Sequence, residues 1–464
     1  MDGSVPQLAR FMGVKAFVTE RSFNLVVPLA HEATAMRITD TDRRRAEWSG
    51  AVSRSSNRLG DVDSTTNAVG PGIRTSTTVT RTTTTRTTRS ARVPSADWNG
   101  HAGFSFTELV EAYFDCRRTK RNSASALTFE ANLERNLRRL YDDLLGGSYF
   151  PGRSICFIIT RPKPREVWAA DFRDRIVHHL MYNRVGPRFE KAFIADSCAC
   201  IRGRGTLYAV ERLEAKIRSI TQNWARPAFY LKADISNFFV SIDKEKLHGL
   251  LLAKISEPFW ASLTELVLMH DPRTDFEFRG RRDLVERVPP HKRLMEQTEN
   301  RGLPIGNLSS QFFANVYLDV LDQHAKHDIG ARHYIRYVDD FLFLHESPEW
   351  LNGALADVDA FLPDQLGVRL NPKKTILQPV ARGVDFVGQV IKPWSRSTRR
   401  RTVSDAMRRV EHVSEPEFLD LTNSYFGLLG QASSSHHDRA LLANVVRGRG
   451  HAVNHDLTKT YRGK

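Results

Sequence analysis

Two short apolar runs, Tyr334-Ile335 and Phe341-Leu342-Phe343-Leu344, stand on either side of Tyr337-Val338-Asp339-Asp340. Runs of that length around a tight acidic turn predict a β-hairpin with two adjacent carboxylates at its tip. A further apolar run, Phe229-Tyr230-Leu231, predicts a strand that delivers Asp234 and then breaks into Ser236-Asn237 and the aromatic pair Phe238-Phe239. Ile155 to Thr160 predicts another strand, followed by the basic turn Arg161-Pro162-Lys163-Pro164-Arg165-Glu166 and an amphipathic helix over Asp171 to Leu180. Elsewhere the period lengthens. Phe129, Leu133, Leu137, Leu140 and Leu144 recur at helical spacing until Gly146-Gly147 stops them, and Phe418, Leu421, Tyr425 and Leu428 do the same near the end of the chain. The first of these helices carries its own acid pair, Asp142-Asp143, which its surroundings make a solvated helix face. Context, and not the acid pair itself, separates a site from a surface.

Hairpin acids with a third carboxylate from a neighbouring strand are suited to divalent metal. Magnesium takes a few carboxylate oxygens together with substrate phosphates, and two such ions about 4 Å apart serve phosphoryl transfer at a 3′ hydroxyl. Asp234, about a hundred residues before the hairpin, is the expected third ligand beside Asp339 and Asp340, with the Ile235 carbonyl as a further one. Phe239, five positions after Asp234, is expected to exclude a ribose 2′ hydroxyl by its bulk. Arg202-Gly203-Arg204-Gly205 alternates cations with residues lacking side chains, which lets backbone amides come close to phosphate. Cys198-Ala199-Cys200 has no second cysteine pair to complete a zinc site, and four cysteines in 464 residues form no disulfide framework.

The net charge of +15 and a pI near 9.8 suit a polyanionic partner, and 41% hydrophobic content supports a core of two or three domains. No apolar run approaches the ~20 residues that span a bilayer, and residues 1–50 lack the succession of a signal peptide, so a cytoplasmic location is expected. From Ser64 to Ala96 there is no acid, and Thr75 to Arg92 is almost wholly Thr, Ser and Arg, so residues 1–100 are expected to be a disordered extension.

Five stretches fall in the order of the reverse transcriptase motifs: Lys232 to Phe239, Gly302 to Gln311, Tyr337 to Asp340, Leu370 to Thr375, and Asp385-Phe386-Val387-Gly388. Residues 104–410 or so thereby resemble a bacterial group II intron-like reverse transcriptase. The resemblance implies that Lys163 and Arg165 grip the incoming triphosphate and that Lys373 or Lys374, with Lys373 favoured, protonates the departing pyrophosphate. It also implies that Ile305, Gly306 and Gln311 stand beside the nascent base pair, and that Phe386, Gly388, Arg399, Arg400 and Arg401 touch primer and template. Most relatives carry Gln-Gly and then Ser-Pro where this chain reads Ile305-Gly306 and Ser310-Gln311. That pattern resembles the reverse transcriptases of diversity-generating retroelements, whose cDNA synthesis is error-prone at template adenines. The zinc-containing nuclease domain of intron-encoded relatives is not expected, since the stretch after Gly388 offers no ligands for one.

The expected fold is an α+β right-hand polymerase: extension 1–100, N-terminal helices and fingers 101–230, palm 231–392 and a short basic helical thumb 393–464. The expected activity is RNA-directed DNA polymerisation with two magnesium ions, manganese being an alternative. Expected partners are template RNA, primer, cDNA and deoxynucleotides, with a small basic accessory protein left open and no membrane. The alternatives are an antiviral or intron-type reverse transcriptase without gene diversification and a catalytically silent RNA-binding protein, against which the acid triad and Phe239 weigh.

Overall fold

The computed structural model describes residues 103–118, 123–161 and 163–462. The expected extension, residues 1–100, lies outside the described residues. Three helices open the described chain: α1 (Phe106–Arg118), α2 (Ala124–Glu130) and α3 (Leu133–Leu145). The apolar series from Phe129 to Leu144, expected to be one helix, is divided by Ala131-Asn132 between α2 and α3. Phe129, Leu137, Leu140 and Leu144 are nevertheless all buried in one core.

The expected strand is β1 (Ser154–Ile159), and it pairs with a second strand that was not expected, β2 (Arg165–Ala169), which takes Arg165 and Glu166 out of the turn. Helix α4 (Phe172–Glu190) follows, capped by Asp171, whose Oδ1 accepts the Arg173 amide at 3.0 Å. It was expected to be amphipathic, yet Phe172, Ile176, Val177, Leu180, Met181, Val185 and Phe189 are buried around much of its circumference. Helices on several sides cover it, and no single polar stripe remains to be read.

After α5 (Thr206–Ile220) come β3 (Phe229–Asp234), the single turn α6 (Phe238–Ser241), α7 (Lys244–Leu252), α8 (Pro258–Met269) and β4 (Phe276–Arg279). Strand β4 joins β1 in parallel, so part of the segment expected to be palm extends the β2-β1-β4 sheet instead. Helix α9 (Leu308–Gln323), the hairpin β5 (Tyr334–Tyr337) and β6 (Asp340–His345), α10 (Pro348–Phe361) and β7 (Ile376–Pro379) complete the central layer. Its antiparallel sheet has the order β5-β6-β3-β7.

That order explains the continuous apolar runs. Leu231, Ala233, Tyr334, Phe341 and Phe343 enter the large helical core, whereas Tyr230, Ile335, Tyr337, Leu342 and Leu344 enter a second core with α5. Strands buried on both faces lose the polar alternation of a half-exposed sheet. Each such side chain contributes roughly 1.5–3 kcal/mol.

A smaller sheet of β8 (Val384–Phe386), β9 (Gln389–Lys392) and β10 (Ser395–Thr398) crosses the expected palm-to-thumb boundary. Helices α11 (Arg400–His412), α12 (Glu415–Leu429) and α13 (His436–Gly448) then pack on one another around Val410, Phe418, Phe426 and Val446, and a short ribbon of β11 (Ala452–Val453) and β12 (Thr460–Tyr461) closes the described chain. Arg396 is buried in β10, 3.0 Å from Glu214. Among the described residues no helix is long and apolar enough to cross a membrane.

Candidate active site

Register brings the acids together. Asp234, the last residue of β3, pairs with Asp340, the first of β6, and Asp339 occupies the two-residue turn between β5 and β6. Val338 in that turn has φ of 55°, a left-handed conformation that a β-branched residue adopts at a cost of order 1–3 kcal/mol. Its carbonyl accepts Arg336 Nη1 at 3.0 Å, and the Asp339 carbonyl accepts the Ile235 amide at 3.3 Å. Asp234 is buried, with Asp339 and Asp340 half-buried beside it.

Burial, then the Asp234 and Asp340 charges, push the Asp339 carboxyl up to about 6. Asp340 is also raised by burial and by Asp234, with Lys232 and Lys374 opposing. Lys374 Nζ lies 2.6 Å from Asp234 Oδ2, and Asn371 Nδ2 donates to the same oxygen at 3.2 Å. The Asn371 amide also donates to the Asp234 carbonyl at 2.8 Å, so the turn of residues 371–374 brackets the strand end. Lys373, the favoured candidate, is exposed on that turn, and its neighbour Lys374 makes the contact with the triad. Two adjacent lysines on a 3-10 turn point in different directions, which the sequence does not resolve.

A proton-linked stability effect follows. Because the folded protein binds the Asp339 proton more tightly than an unfolded carboxyl near 3.8, metal-free stability falls as pH rises through about 4 to about 6. Asp339→Asn removes that term. It is expected to stabilise the protein in EDTA at pH 7.5 by roughly 1–2 kcal/mol, after allowance for solvent screening. Thermal melts should show the gain shrinking as pH is lowered to 4.5, and a gain independent of pH would exclude this cause.

The loop Gly302 to Asn307 joins the acids to the β1–β2 hairpin. The Leu303 amide donates to the Phe239 carbonyl and the Trp168 amide to the Ile305 carbonyl, each at 2.8 Å. Asn307 Oδ1 accepts the Ala170 amide at 3.0 Å. At Gly306, φ is 130°, and a Cβ would meet Val167 Cγ1 at 2.9 Å and the Trp168 carbonyl at 3.0 Å, so close approach to β2 requires glycine. Ile305 is half-buried in the loop, and Gln311 is exposed on the first turn of α9. Phe239 is half-buried, its ring 5.4 Å from Phe238 and inclined to it by 66°.

Other expected residues are spread more widely. Lys163 stands exposed on the β1–β2 connection and Arg165 exposed at the start of β2. Arg202 is exposed, but Arg204 turns inward, donating to the Ile194 and Ser197 carbonyls at 2.7 Å, and so closes its own loop. Phe386, expected at nucleic acid, is fully buried edge-on to Tyr337 at 6.5 Å and supports the hairpin from beneath. Gly388 lies in the β8–β9 turn with φ of 90° and open space at its Cβ position. Arg399 Nε lies 3.0 Å from Asp385 Oδ1, while Arg400 and Arg401 are exposed at the start of α11. The four cysteines are free thiols. Burial raises Cys198 to about 12 and Cys200 to about 11, so neither is an available thiolate. Asn371, Asn307 and Arg336 were missed, although the first two lie inside the motif stretches already singled out.

Among the described residues, no group of three or more His, Cys, Asp or Glu side chains forms a preformed metal cage. The donor set still fits magnesium, which takes one or two hard carboxylates with substrate phosphates and keeps several waters. Burial first, and then the Asp234 charge, raise both hairpin carboxyls, an arrangement that a bound cation would relieve, and the Lys374 ammonium already stands on Asp234.

The chain resembles a solved telomerase from Candida albicans, in complex with a TWJ fragment of telomeric RNA, at 13% identity and a TM-score of 0.38. The match covers 64% of this chain and 54% of that one, so the chain spans about half the length of that relative. No curated protein matches the sequence. The family model for the reverse transcriptase (RNA-dependent DNA polymerase) matches residues 162–391, which hold the acid triad, the Gly302–Asn307 loop and the 371–374 turn. Residues 162–391 are thus similar to the reverse transcriptase family over the segment that holds the candidate site, on a fold of mixed helices and sheets.

Proposed function

We propose that the protein is an RNA-directed DNA polymerase that extends a primer on an RNA template and makes error-prone cDNA for a diversity-generating retroelement. The observation that carries the polymerase reading is the placement of Asp234, Asp339 and Asp340 at adjoining strand ends within the reverse transcriptase domain. Asp234, Asp339, Asp340 and the Ile235 carbonyl would hold magnesium, with manganese as an alternative. The bound ions supply activation of the primer 3′ hydroxyl and charge stabilisation at the phosphates.

The chain's own residues do the rest. Lys163, on the β1–β2 connection, and Arg165, at the start of β2, attract the triphosphate. Phe239 meets the sugar, held by the Leu303 amide on its carbonyl. Lys374, already 2.6 Å from Asp234, holds a proton within reach of the triad and is better placed than Lys373 to give it to pyrophosphate. Fingers over 101–230, palm over 231–392 and thumb over 393–464 would enclose the duplex, with Arg202, Gly388, Arg400 and Arg401 open to its backbone. Template RNA, primer, cDNA, deoxynucleotides and a small basic accessory protein are the proposed partners, in the cytoplasm.

The retroelement reading rests on Ile305 and Gln311. The Trp168 amide on the Ile305 carbonyl fixes the backbone of that loop, which leaves the side chain as the group that the proposal sets beside the base pair. An alkyl group there offers no hydrogen bond to reward correct pairing, and a loss of about 1.4 kcal/mol of discrimination gives about tenfold more errors. Sequenced cDNA from the purified protein on its neighbouring noncoding RNA is expected to show errors concentrated at template adenines. Ile305→Gln with Gln311→Pro should lower them about tenfold with little loss of total synthesis. Equal error rates at all four bases in the wild type would leave an antiviral or intron-type reverse transcriptase, and no extension at all would leave an RNA-binding protein.

A further inference from the structure

Beneath the acid hairpin lies a buried polar network that the chemistry above does not use. Arg336, in β5, is fully buried, and its guanidinium is the hub. Nη2 lies 2.6 Å from Asp322 Oδ2 and Nε 2.7 Å from Asp322 Oδ1, a two-pronged pair with a carboxylate on α9 that is itself fully buried. The same Nη2 donates to Ser197 Oγ at 2.8 Å, and Nη1 reaches Asn315 Oδ1 at 3.3 Å and the Val338 carbonyl at 3.0 Å. Tyr334 adds its hydroxyl to Asp322 at 2.8 Å.

Backbone bonds tie the same residue outward. The Arg336 amide donates to the Asp196 carbonyl at 2.9 Å, and the Arg336 carbonyl accepts the Cys198 amide at 3.0 Å. One side chain therefore bonds α9, the 196–198 segment and the turn that presents Asp339. A buried ion pair is poor evidence for stability as such, because desolvation offsets its attraction. What distinguishes this pair is its target. The carbonyl that Nη1 holds belongs to Val338, whose left-handed φ of 55° needs surroundings that over-determine it.

We propose that Arg336, oriented by Asp322 and Ser197, is a positioning residue for polymerisation: it locks the strained Val338 turn so that Asp339 and Asp340 stay in register with Asp234. A planar guanidinium is required, because a lysine ammonium cannot serve the Asp322 fork and the Val338 carbonyl together. The inference rests on the polymerase reading.

The test is Arg336→Lys in the full-length protein, assayed by magnesium-dependent primer extension with a melting temperature on the same preparation. The expected result is a folded enzyme with kcat at least tenfold lower and a magnesium midpoint at least threefold higher, while the KM for deoxynucleotide changes less than twofold. A merely structural arginine would lower the melting temperature and leave kcat per folded molecule and the magnesium midpoint as in the wild type, and that outcome overturns the proposal. Should Arg336→Lys fail to fold, Ser197→Ala removes one bond and leaves the pair with Asp322. It is then expected to raise the magnesium midpoint two- to threefold, and an unchanged midpoint overturns the proposal. A wild-type protein without extension activity would instead overturn the polymerase reading.

Discussion

Asp339→Asn and Asp234→Ala are each expected to lower magnesium-dependent primer extension at least about a thousandfold, some 4 kcal/mol of barrier, while RNA affinity changes less than twofold. Each substitution removes a carboxylate from the cluster at the β3 and β6 ends and leaves the exposed cations Arg202, Arg400 and Arg401 in place. The two variants should differ in one respect. Asp234→Ala also deprives Lys374 and Asn371 of their shared partner, so the 371–374 turn loosens, whereas Asp339→Asn leaves that turn intact. Limited proteolysis near residue 373 should therefore be faster in Asp234→Ala alone. Extension within tenfold of the wild type in either variant would remove the triad from the chemistry.

Phe239→Ala is expected to raise ribonucleotide incorporation relative to deoxynucleotide on the order of a hundredfold, about 2.7 kcal/mol. The ring stands one residue beyond Phe238 on a single helical turn, and its carbonyl is fixed by Leu303 at 2.8 Å, so the backbone at this position is tied to the Gly302–Asn307 loop. Loss of a half-buried ring lowers stability by about 1–3 kcal/mol, which a melt separates from the change in sugar preference. Competition between the two nucleotide types on one template is the measurement. An unchanged preference would move sugar selection to another side chain.

Much of the candidate site was legible along the chain because its parts are local. Tyr337 to Asp340 is a hairpin turn flanked by apolar runs, and a turn of that kind depends on residues that are neighbours in sequence. Asp234 was legible for a related reason, since a strand that breaks into polar residues marks where its last acid emerges. The choice between Lys373 and Lys374 stayed open where local information ended. Both side chains have the same chemistry, and only the pairing of Ile235 with Leu370, which sets Asn371 against Asp234, decides which ammonium meets the acid.

Phe386 and Arg204 were misplaced for a similar reason. An aromatic or a cation in a motif reads the same whether it faces nucleic acid or its own protein, and here packing against Tyr337 and bonds to two carbonyls turn them inward. Helix α4 lost its expected polar stripe because neighbours cover it on several sides, and β4 left the expected palm because its partner, β1, lies more than a hundred residues earlier.

By itself, then, the sequence determined the strands β1 and β3, the acid hairpin and the place of Asp234 at a strand end, since each depends on side-chain period within a few residues. The tertiary structure decided which lysine reaches Asp234, which arginines stay open to solvent, and that Arg336 lies buried between Asp322 and the Val338 carbonyl. Those outcomes depend on contacts between segments far apart in the chain, and the free energy of burying or pairing a charge is set by neighbours that no local pattern contains.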